Sequence, residues 1–128
     1  MEQSTTISVP AGTGYVHLLR VVIAGVAAGL DFPIDEIDDL RLAVDEASAH
    51  LLSAGAATGR ITVRLTPNAE GLNVVAWGDR TDGEWPGAAD QRSMSWYVLT
   101  TLTDDAEMER VDGHPAVRFT KRLAHREV

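Results

Sequence analysis

The sequence contains no cysteine, which excludes disulfide bonds and thiolate metal sites and is compatible with a cytoplasmic protein. It also lacks a long hydrophobic run: the most apolar segment, residues 21–30, is too short to cross a bilayer. The first eleven residues lack a basic start followed by an apolar stretch, so we expect no signal peptide. These absences predict a cytoplasmic protein without a membrane partner.

Positive charge is scarce as well. The formal net charge is −8, and no stripe of lysine and arginine is available to neutralise phosphates. Direct binding to nucleic acid is therefore not expected. A protein partner with a basic surface suits this charge better, because opposite charges speed encounter.

What is present is typical of a single globular domain spanning residues 1–128. The chain is long enough to bury a core, and 45% of its residues are hydrophobic. We find no internal repeat, no low-complexity tract and no linker that would separate two domains.

Hydrophobic periodicity predicts the order β-α-α-β-β-α-β-β. Asp112-Gly113 is a strong signal for a hairpin between the last two strands. Hairpins indicate a mixed or antiparallel sheet, and the helices must then cover one face of it in a two-layer α+β sandwich. The predicted strands are Thr6–Val9, Arg60–Thr66, Leu72–Trp77, Ala106–Val111 and Ala116–Leu123; the predicted helices are Gly14–Leu30, Ile34–Leu52 and Ser93–Thr103, with a loop at Gly78–Gln91.

The apolar positions of each helix predict the stripe that it turns towards the core. The first helix is expected to bury Tyr15, Leu19, Val22, Val26 and Leu30. The second is expected to bury Ile34, Ile37, Leu40, Val44, Ala47 and Leu51, and the third Met94, Val98, Leu99 and Leu102.

The segment LRLAVDEASAHLL, Leu40–Leu52, carries Glu46 and His50 one helical turn apart. Together with SWYVLTTLTDDAEM, Ser95–Met108, and the order of elements, it resembles the anti-sigma factors of the RsbW and SpoIIAB type. These are bacterial relatives of the histidine-kinase ATPase domain, the GHKL or Bergerat fold. The resemblance covers roughly Ile7 to Leu123. It implies binding of a sigma factor, release by an antagonist of the STAS class and, in many members, ATP- and magnesium-dependent phosphorylation of a serine on that antagonist.

The resemblance places Glu46 at the position of a catalytic glutamate and His50 at that of an asparagine that ligates magnesium. Magnesium prefers oxygen ligands, so histidine is a poor replacement. The alternative is that Glu46 and His50 simply pair on a partly exposed helix face.

The other two nucleotide-binding motifs are also altered. The resemblance expects Asp-x-Gly-x-Gly after the second hairpin strand; here Asp79 or Asp82 could hold adenine, but neither stands in that pattern. An ordinary polar turn is the alternative. The glycine-rich lid is replaced by residues 91–96, which contain no glycine. We therefore expect weak or absent kinase activity, no metal site, and ATP with magnesium only if the site works.

The outer side of the first helix is unusually apolar. His17, Arg20, Val21, Ala24 and Ala28 lie opposite its predicted core stripe. Such a face is either buried within the domain or covered by a partner. The resemblance places Arg20 where the family contacts both sigma factor and antagonist, and arginine often anchors interfaces. We predict a partner surface at His17, Arg20, Val21 and Ala24.

An acidic run supports this prediction. Seven acidic residues and one base, Arg41, lie between positions 31 and 46. The run is either a solvated helix start or a complement to basic helices of a sigma factor. The function predicted first is sequestration of a stress-response sigma factor; the alternatives are an active serine kinase and a dimeric scaffold without a sigma factor. The resemblance also implies a homodimer.

Overall fold

The protein is described here as a computed structural model that covers residues 3–53, 59–79 and 85–123. Its elements are β1 (Thr5–Pro10), α1 (Thr13–Gly29), α2 (Ile34–Ser53), β2 (Arg60–Pro67), β3 (Gly71–Trp77), α3 (Ala88–Gln91), α4 (Met94–Leu102), β4 (Asp105–Val111) and β5 (His114–Arg122). The predicted order is confirmed. The short helix α3 is an addition, because the sequence predicted a loop there.

The five strands form one sheet in the order β1-β2-β3-β5-β4, and every neighbouring pair is antiparallel. Asp112 and Gly113 both have positive φ, 53° and 81°, and they form the predicted two-residue turn between β4 and β5. The turn before β3 is held by Asn68, whose side-chain oxygen accepts the amide protons of Glu70 and Gly71 at 2.8 Å each.

The three longer helices cover one face of this sheet, as the two-layer prediction required. Alternate residues of β2 and β3 point into the core, and α2 contributes the predicted stripe Leu40, Val44, Ala47 and Leu51, which is fully buried. Each large apolar side chain buried in this way contributes about 1.5–3 kcal/mol to folding. Within the described residues no helix is long and apolar enough to span a membrane.

The core stripe of α1 differs from the prediction. Leu19, Ile23 and Ala27 are its fully buried residues, whereas the side chain of Tyr15 is 49% exposed. The helix is rotated by roughly 60° from the predicted orientation, at about 100° per residue. Because α1 is apolar on most sides, periodicity alone could not fix which face meets the sheet.

Two other predicted core residues are exposed, each at the first position of a helix. Ile34 begins α2 and is 77% exposed, and Met94 begins α4 and is 75% exposed. In both helices the first fully buried residue lies beyond the first turn, Leu40 in α2 and Leu99 in α4.

Lys121 connects three elements at one end of the sandwich. Its ammonium group donates hydrogen bonds to Asp39 Oδ2 at 3.2 Å and to the carbonyl of Leu102 at 2.8 Å. Lys121 therefore ties β5 both to α2 and to the C-terminal end of α4, where a cation also suits the helix dipole.

Candidate functional site

Glu46 lies on the side of α2 that faces the first turn of α4. Its carboxylate accepts a hydrogen bond from the hydroxyl of Ser95. Ser95 is held there because Ser93 caps α4: the Ser93 side-chain oxygen accepts the amide proton of Trp96 at 3.1 Å. The Glu46 carboxylate, which the resemblance places at the catalytic position, is thus hydrogen-bonded to a residue of another helix.

His50 follows one turn later and is buried, with 4% of its surface exposed. Its ring meets Trp85 and Trp96 edge-on, at centroid distances of 6.4 and 5.9 Å. Its Nδ1 lies 3.9 Å from Oδ1 of Asp90 on α3. The expectation of a pair on a partly exposed helix face is wrong for His50, because two tryptophans close over it.

This environment changes the acid–base behaviour of His50. Burial lowers the pKa of its imidazole below the ordinary value, and the nearby carboxylates of Asp90 and Glu46 act in the opposite direction without cancelling the effect. The folded protein therefore favours the neutral imidazole.

The side chains along this face do not fit a magnesium–nucleotide complex. His50 offers nitrogen rather than the oxygen that magnesium prefers, and it is enclosed by aromatic rings. Of the two carboxylates, Glu46 binds Ser95, and Asp90 Oδ2 accepts the amide proton of Gly87 at 3.3 Å. In the described part of the chain no group of three or more histidine, cysteine or acidic side chains is arranged to hold a metal ion.

Asp79 is bound to the start of β2. Its Oδ2 accepts the amide proton of Arg60 at 3.3 Å, and a Cβ placed on Gly59 would collide with the same carboxylate. Asp79, two residues after the end of β3, is thus bound to the first residue of β2. This structural contact agrees with the alternative that the segment is an ordinary polar turn. The other candidate for adenine binding, Asp82, lies outside the described residues.

The residues that enclose His50 were not predicted from the sequence. Trp85, Asp90 and Trp96 fall within or beside a polar stretch that was interpreted as loop and helix start. Trp85 is 5% exposed, and its Nε1 donates to the carbonyl of Glu109 at 2.8 Å. A single tryptophan in a polar, glycine-rich segment was the available signal, because so large a ring is rarely left in water.

The predicted partner surface lies on the outer side of the helical layer. Val21 is 65% exposed, His17 is exposed, and Arg20 and Ala24 are half-buried at the edge that meets α2. The alternative that this face is buried within the domain is therefore wrong for Val21 and His17. Leu18 on α1 and Leu42 on α2 extend the apolar surface, at 41% and 51% exposure.

A groove of about 340 Å³ separates α1 from α2 at this surface, lined by Arg20, Asp38, Arg41, Leu42 and Asp45. Arg20 Nη1 donates to Asp45 Oδ2 at 3.4 Å, and Arg41 Nη1 donates to Asp38 Oδ1 at 3.5 Å. Burial raises the pKa of Asp45, and the positive charge of Arg20 opposes that rise only in part. The groove thus combines exposed leucine with charged groups that are loosely paired.

Comparison with known families finds one match that spans most of the chain. The model of the histidine kinase-like ATPase domain matches residues 9–121. The matched range begins in β1 and ends in β5, so it contains both α2 and the α1 surface.

Individual relatives give the same result. A serine-protein kinase RsbW of Bacillus licheniformis is 29% identical over an alignment of 133 positions, which covers 89% of this chain and 82% of that protein. An anti-sigma-F factor RsbW of Mycobacterium tuberculosis is 30% identical over 107 residues, 82% of this chain and 61% of that protein, so the chain spans less than two thirds of its length. A serine-protein kinase RsbW of Bacillus subtilis is 24% identical, with 91% of this chain and 84% of that protein covered.

Proposed function

The chain belongs to the histidine kinase-like ATPase domain family, and on that premise we propose that it is an anti-sigma factor of the RsbW type. In this role it sequesters a bacterial stress-response sigma factor in the cytoplasm by direct contact, and an antagonist of the STAS class releases the sigma factor. Two kinds of relative support the proposal, one named an anti-sigma-F factor and the others named serine-protein kinases.

The exposed apolar surface of α1 and α2 is the observation that carries the proposal. Leu18, Val21 and Leu42 are each at least 41% exposed, and Leu42 lines the groove between the two helices. Clustered exposed apolar residues with a charged rim are typical of protein-binding surfaces. Arg20 stands at the edge of this groove, where it can leave Asp45 for a carboxylate of the partner.

Charge favours the same partner class. The acidic run of α2 leaves Asp35 exposed, while Asp38, Asp39 and Asp45 carry weak or partly exposed ion pairs. A basic helix of a sigma factor would meet this rim with favourable long-range attraction, which raises the association rate at low salt.

The decisive experiment measures binding of purified sigma factors from the host to this protein. We expect Arg20→Glu and Val21→Asp each to raise the Kd by about 30-fold or more, the loss typical of an interface anchor. Two matched controls carry the same changes on the sheet, away from the groove. Arg122→Glu replaces an exposed arginine on β5, and Val111→Asp an exposed valine on β4, and both should leave the Kd unchanged.

The results separate the anti-sigma proposal from the scaffold alternative. If the protein binds none of the host sigma factors, the anti-sigma role is wrong, and the scaffold and kinase alternatives remain. If a sigma factor binds and Arg20→Glu weakens it no more than Arg122→Glu, the role stands but the assigned surface is wrong.

A kinase remains the second candidate because two of the cited relatives carry that name. Against it stand the enclosed His50 and the engaged carboxylate of Glu46. Calorimetric titration with ATP and magnesium decides between the two, and we expect no binding. Micromolar affinity that depends on magnesium and is lost in Glu46→Ala would establish the nucleotide site and favour the kinase. Sedimentation of the free protein and of its sigma complex tests the proposed homodimer separately.

A further inference from the structure

The helices cover one face of the sheet, and we refer to the opposite face, formed by the side chains of β2, β3, β5 and β4 that point away from the core, as the sheet face. An antiparallel sheet can leave one face in water, and such a face is then mostly polar. Here the centre of the face is apolar. We propose that a second copy of this chain packs on the sheet face, about a two-fold axis that runs parallel to the strands, midway between β3 and β5.

The centre of the sheet face is a hollow of about 420 Å³, lined by Val75 and Trp77 of β3 and by Ala116 of β5. Trp77 lies directly opposite Ala116 in the ladder between these strands, so a large ring stands beside a single methyl group. Both Val75 and Trp77 are half-buried. The face thus offers a projection next to a recess, which is the shape that two interdigitating sheets require. Tryptophan is also among the residues that most often anchor interfaces.

Positive charge lies on the β2 side of this hollow. Arg60 donates to Oγ of Ser8 at 2.9 Å and to the carbonyl of Ser8 at 2.9 Å. The guanidinium group of Arg64 lies over the Trp77 ring, 5.1 Å from its centroid. Both arginines therefore contact neutral groups, and their charge remains available to a partner.

Negative charge lies on the β4 side. Asp105, Glu107 and Glu109 share the guanidinium group of Arg118, at distances of 3.6, 2.8 and 3.0 Å. Three carboxylates around one guanidinium group leave two negative charges in this cluster, and the side chain of Glu107 is 55% exposed. The sheet face is therefore basic along β2, apolar along its middle and acidic along β4.

This arrangement is self-complementary under one rotation only. Two identical chains that pair symmetrically use the same patch on both copies. The proposed axis places β2 of one copy over β4 of the other, and β3 over β5. The register then sets Arg64 opposite Glu107 of the second copy and Trp77 opposite the recess at Ala116. A two-fold axis across the strands would set β2 over β2 and β4 over β4, which the repulsion of like charges opposes.

The size of the sheet face predicts a weak but specific contact. Four strands spaced about 4.8 Å apart, with about seven residues at 3.4 Å each, project roughly 450 Å² per copy. Two copies would then bury about 900 Å² before the roughness of the side chains is counted, at the lower end of specific interfaces. We therefore expect a dimer Kd in the micromolar range.

The inference rests on the homodimer proposed above and identifies the face through which it forms. The groove between α1 and α2 lies in the helical layer, on the opposite side of the domain. Pairing of the sheet faces leaves that groove uncovered in both copies, so the binding of a sigma factor can be measured independently of the dimer.

Sedimentation equilibrium of the full chain between about 1 and 200 µM tests the charge pairs. Arg64→Glu and Glu107→Arg each bring like charges together at both symmetry-related contacts, so each should raise the dimer Kd by about tenfold or more. The double variant restores opposite charges and should return the Kd to within about threefold of wild type. Arg41→Glu reverses an exposed arginine in the helical layer and should leave the Kd unchanged.

Cross-linking tests the axis without a change of charge pairing at Arg64 and Glu107. The chain has no cysteine, so a single introduced thiol per copy reports on one position. Thr62 and Glu109 belong to the row of Trp77 and Ala116. In the proposed dimer Thr62 lies about 10 Å from Glu109 of the second copy, whereas the two copies of Thr62 are roughly 17 Å apart. A bismaleimide that spans about 10 Å should therefore link a mixture of Thr62→Cys and Glu109→Cys, and neither variant alone.

The outcomes separate the face from the homodimer. A wild-type chain that stays monomeric at the highest concentration overturns both, while the anti-sigma role is decided by its own binding experiment. If the chain dimerises and both charge reversals behave like Arg41→Glu, the homodimer stands and the sheet face is wrong.

The axis has its own criteria. A double variant that does not recover, or a mixture that is linked no better than the single cysteine variants, overturns the proposed axis. Should circular dichroism show that either charge-reversed variant does not fold, the cross-linking decides alone. Preferential linking of the mixture then supports the proposal, and its absence overturns it.

Discussion

Arg20 on α1 is joined to Asp45 on α2 by a single hydrogen bond of 3.4 Å, with side chains that are 40% and 31% exposed. The pair therefore spans the groove between the two helices without being sealed from water. Ion pairs of this kind contribute about 0.2–1 kcal/mol to stability, because solvent screens them. Arg20 can therefore leave Asp45 for another carboxylate at little cost to the stability of the fold.

We predict that Arg20→Ala lowers the free energy of unfolding by less than about 1 kcal/mol. Urea denaturation at pH 7 measures the change. Arg118→Ala on β5 is the contrasting variant, because Arg118 binds the carboxylates of Glu107 at 2.8 Å and Glu109 at 3.0 Å. It should cost more than Arg20→Ala, and the opposite order would show that the groove pair is structural.

The folded protein should disfavour the ionised form of the Asp45 carboxyl group. Its pKa is raised in the folded protein, chiefly by burial, so the folded state binds a proton more readily than the unfolded state. Stability contributed through this group therefore increases as the pH falls through the folded pKa towards the ordinary value of 3.8. Asp45→Asn should not reduce stability at pH 7, and it should remove this acid-side gain.

Unfolding measured between pH 7 and 3 tests the prediction for Asp45. Asp38→Asn serves as the control, since Asp38 faces the same groove and is 60% exposed. A loss of more than about 1 kcal/mol at pH 7 in Asp45→Asn would mean that the attraction of Arg20 outweighs burial.

The observed orientation of α1 predicts unequal losses of stability for alanine substitutions at two apolar positions, Ile23 and Val21. Ile23→Ala should destabilise the fold by about 2–5 kcal/mol, because Ile23 is fully buried against the sheet. Val21→Ala should change stability by no more than about 0.5 kcal/mol, because Val21 is 65% exposed. Equal losses in thermal or urea unfolding would contradict the orientation of α1.

Alanine substitution should likewise cost unequal amounts of stability at two glycines, Gly71 and Gly59. Gly71 has φ 159°, and a Cβ there would lie 2.8 Å from the amide nitrogen of Leu123 and 2.9 Å from Cα of Arg122, so Gly71→Ala must displace the backbone of β5. We expect a loss of about 1–3 kcal/mol or more. At Gly59 the obstacle is only the carboxylate of Asp79, which can rotate away.

A double-mutant cycle extends this comparison to Asp79. Asp79→Ala should cost stability in the wild-type background, because Arg60 loses its acceptor, and it should cost less in a Gly59→Ala background where the carboxylate has already moved. Equal costs in both backgrounds would show that Asp79 does not support the β2–β3 junction.

How far the sequence predicted the fold depends on how clean each pattern was. Strand β2 alternates strictly and α2 carries a regular apolar stripe, so the positions of both were correct, as were the buried residues of α2 from Leu40 onwards. The orientation of α1 was wrong because most of its sides are apolar. Helix starts at Ile34 and Met94 were assigned to the core because periodicity carries no information on where a layer ends.

The candidate site was harder to predict because its contacts are long-range. Periodicity and motif placed Glu46 and His50 on one face of α2, but Ser95 lies 49 residues from Glu46, and Trp85 belongs to a polar stretch without a periodic pattern. The exposure of Val21 was easier to predict, since α1 carries more apolar residues than one sheet face can bury.

The contacts of Lys121 hold one end of α4 in place, so this helix can tilt only about that end. Its C-terminal end is held through the carbonyl of Leu102, while its N-terminal end rests on α2 through Ser95. The helix has nine residues and is therefore roughly 13 Å long. A small tilt about the held end would be largest near Met94, so the strongly exposed apolar side chains of Met94 and Tyr97 lie where this helix has the most freedom to move.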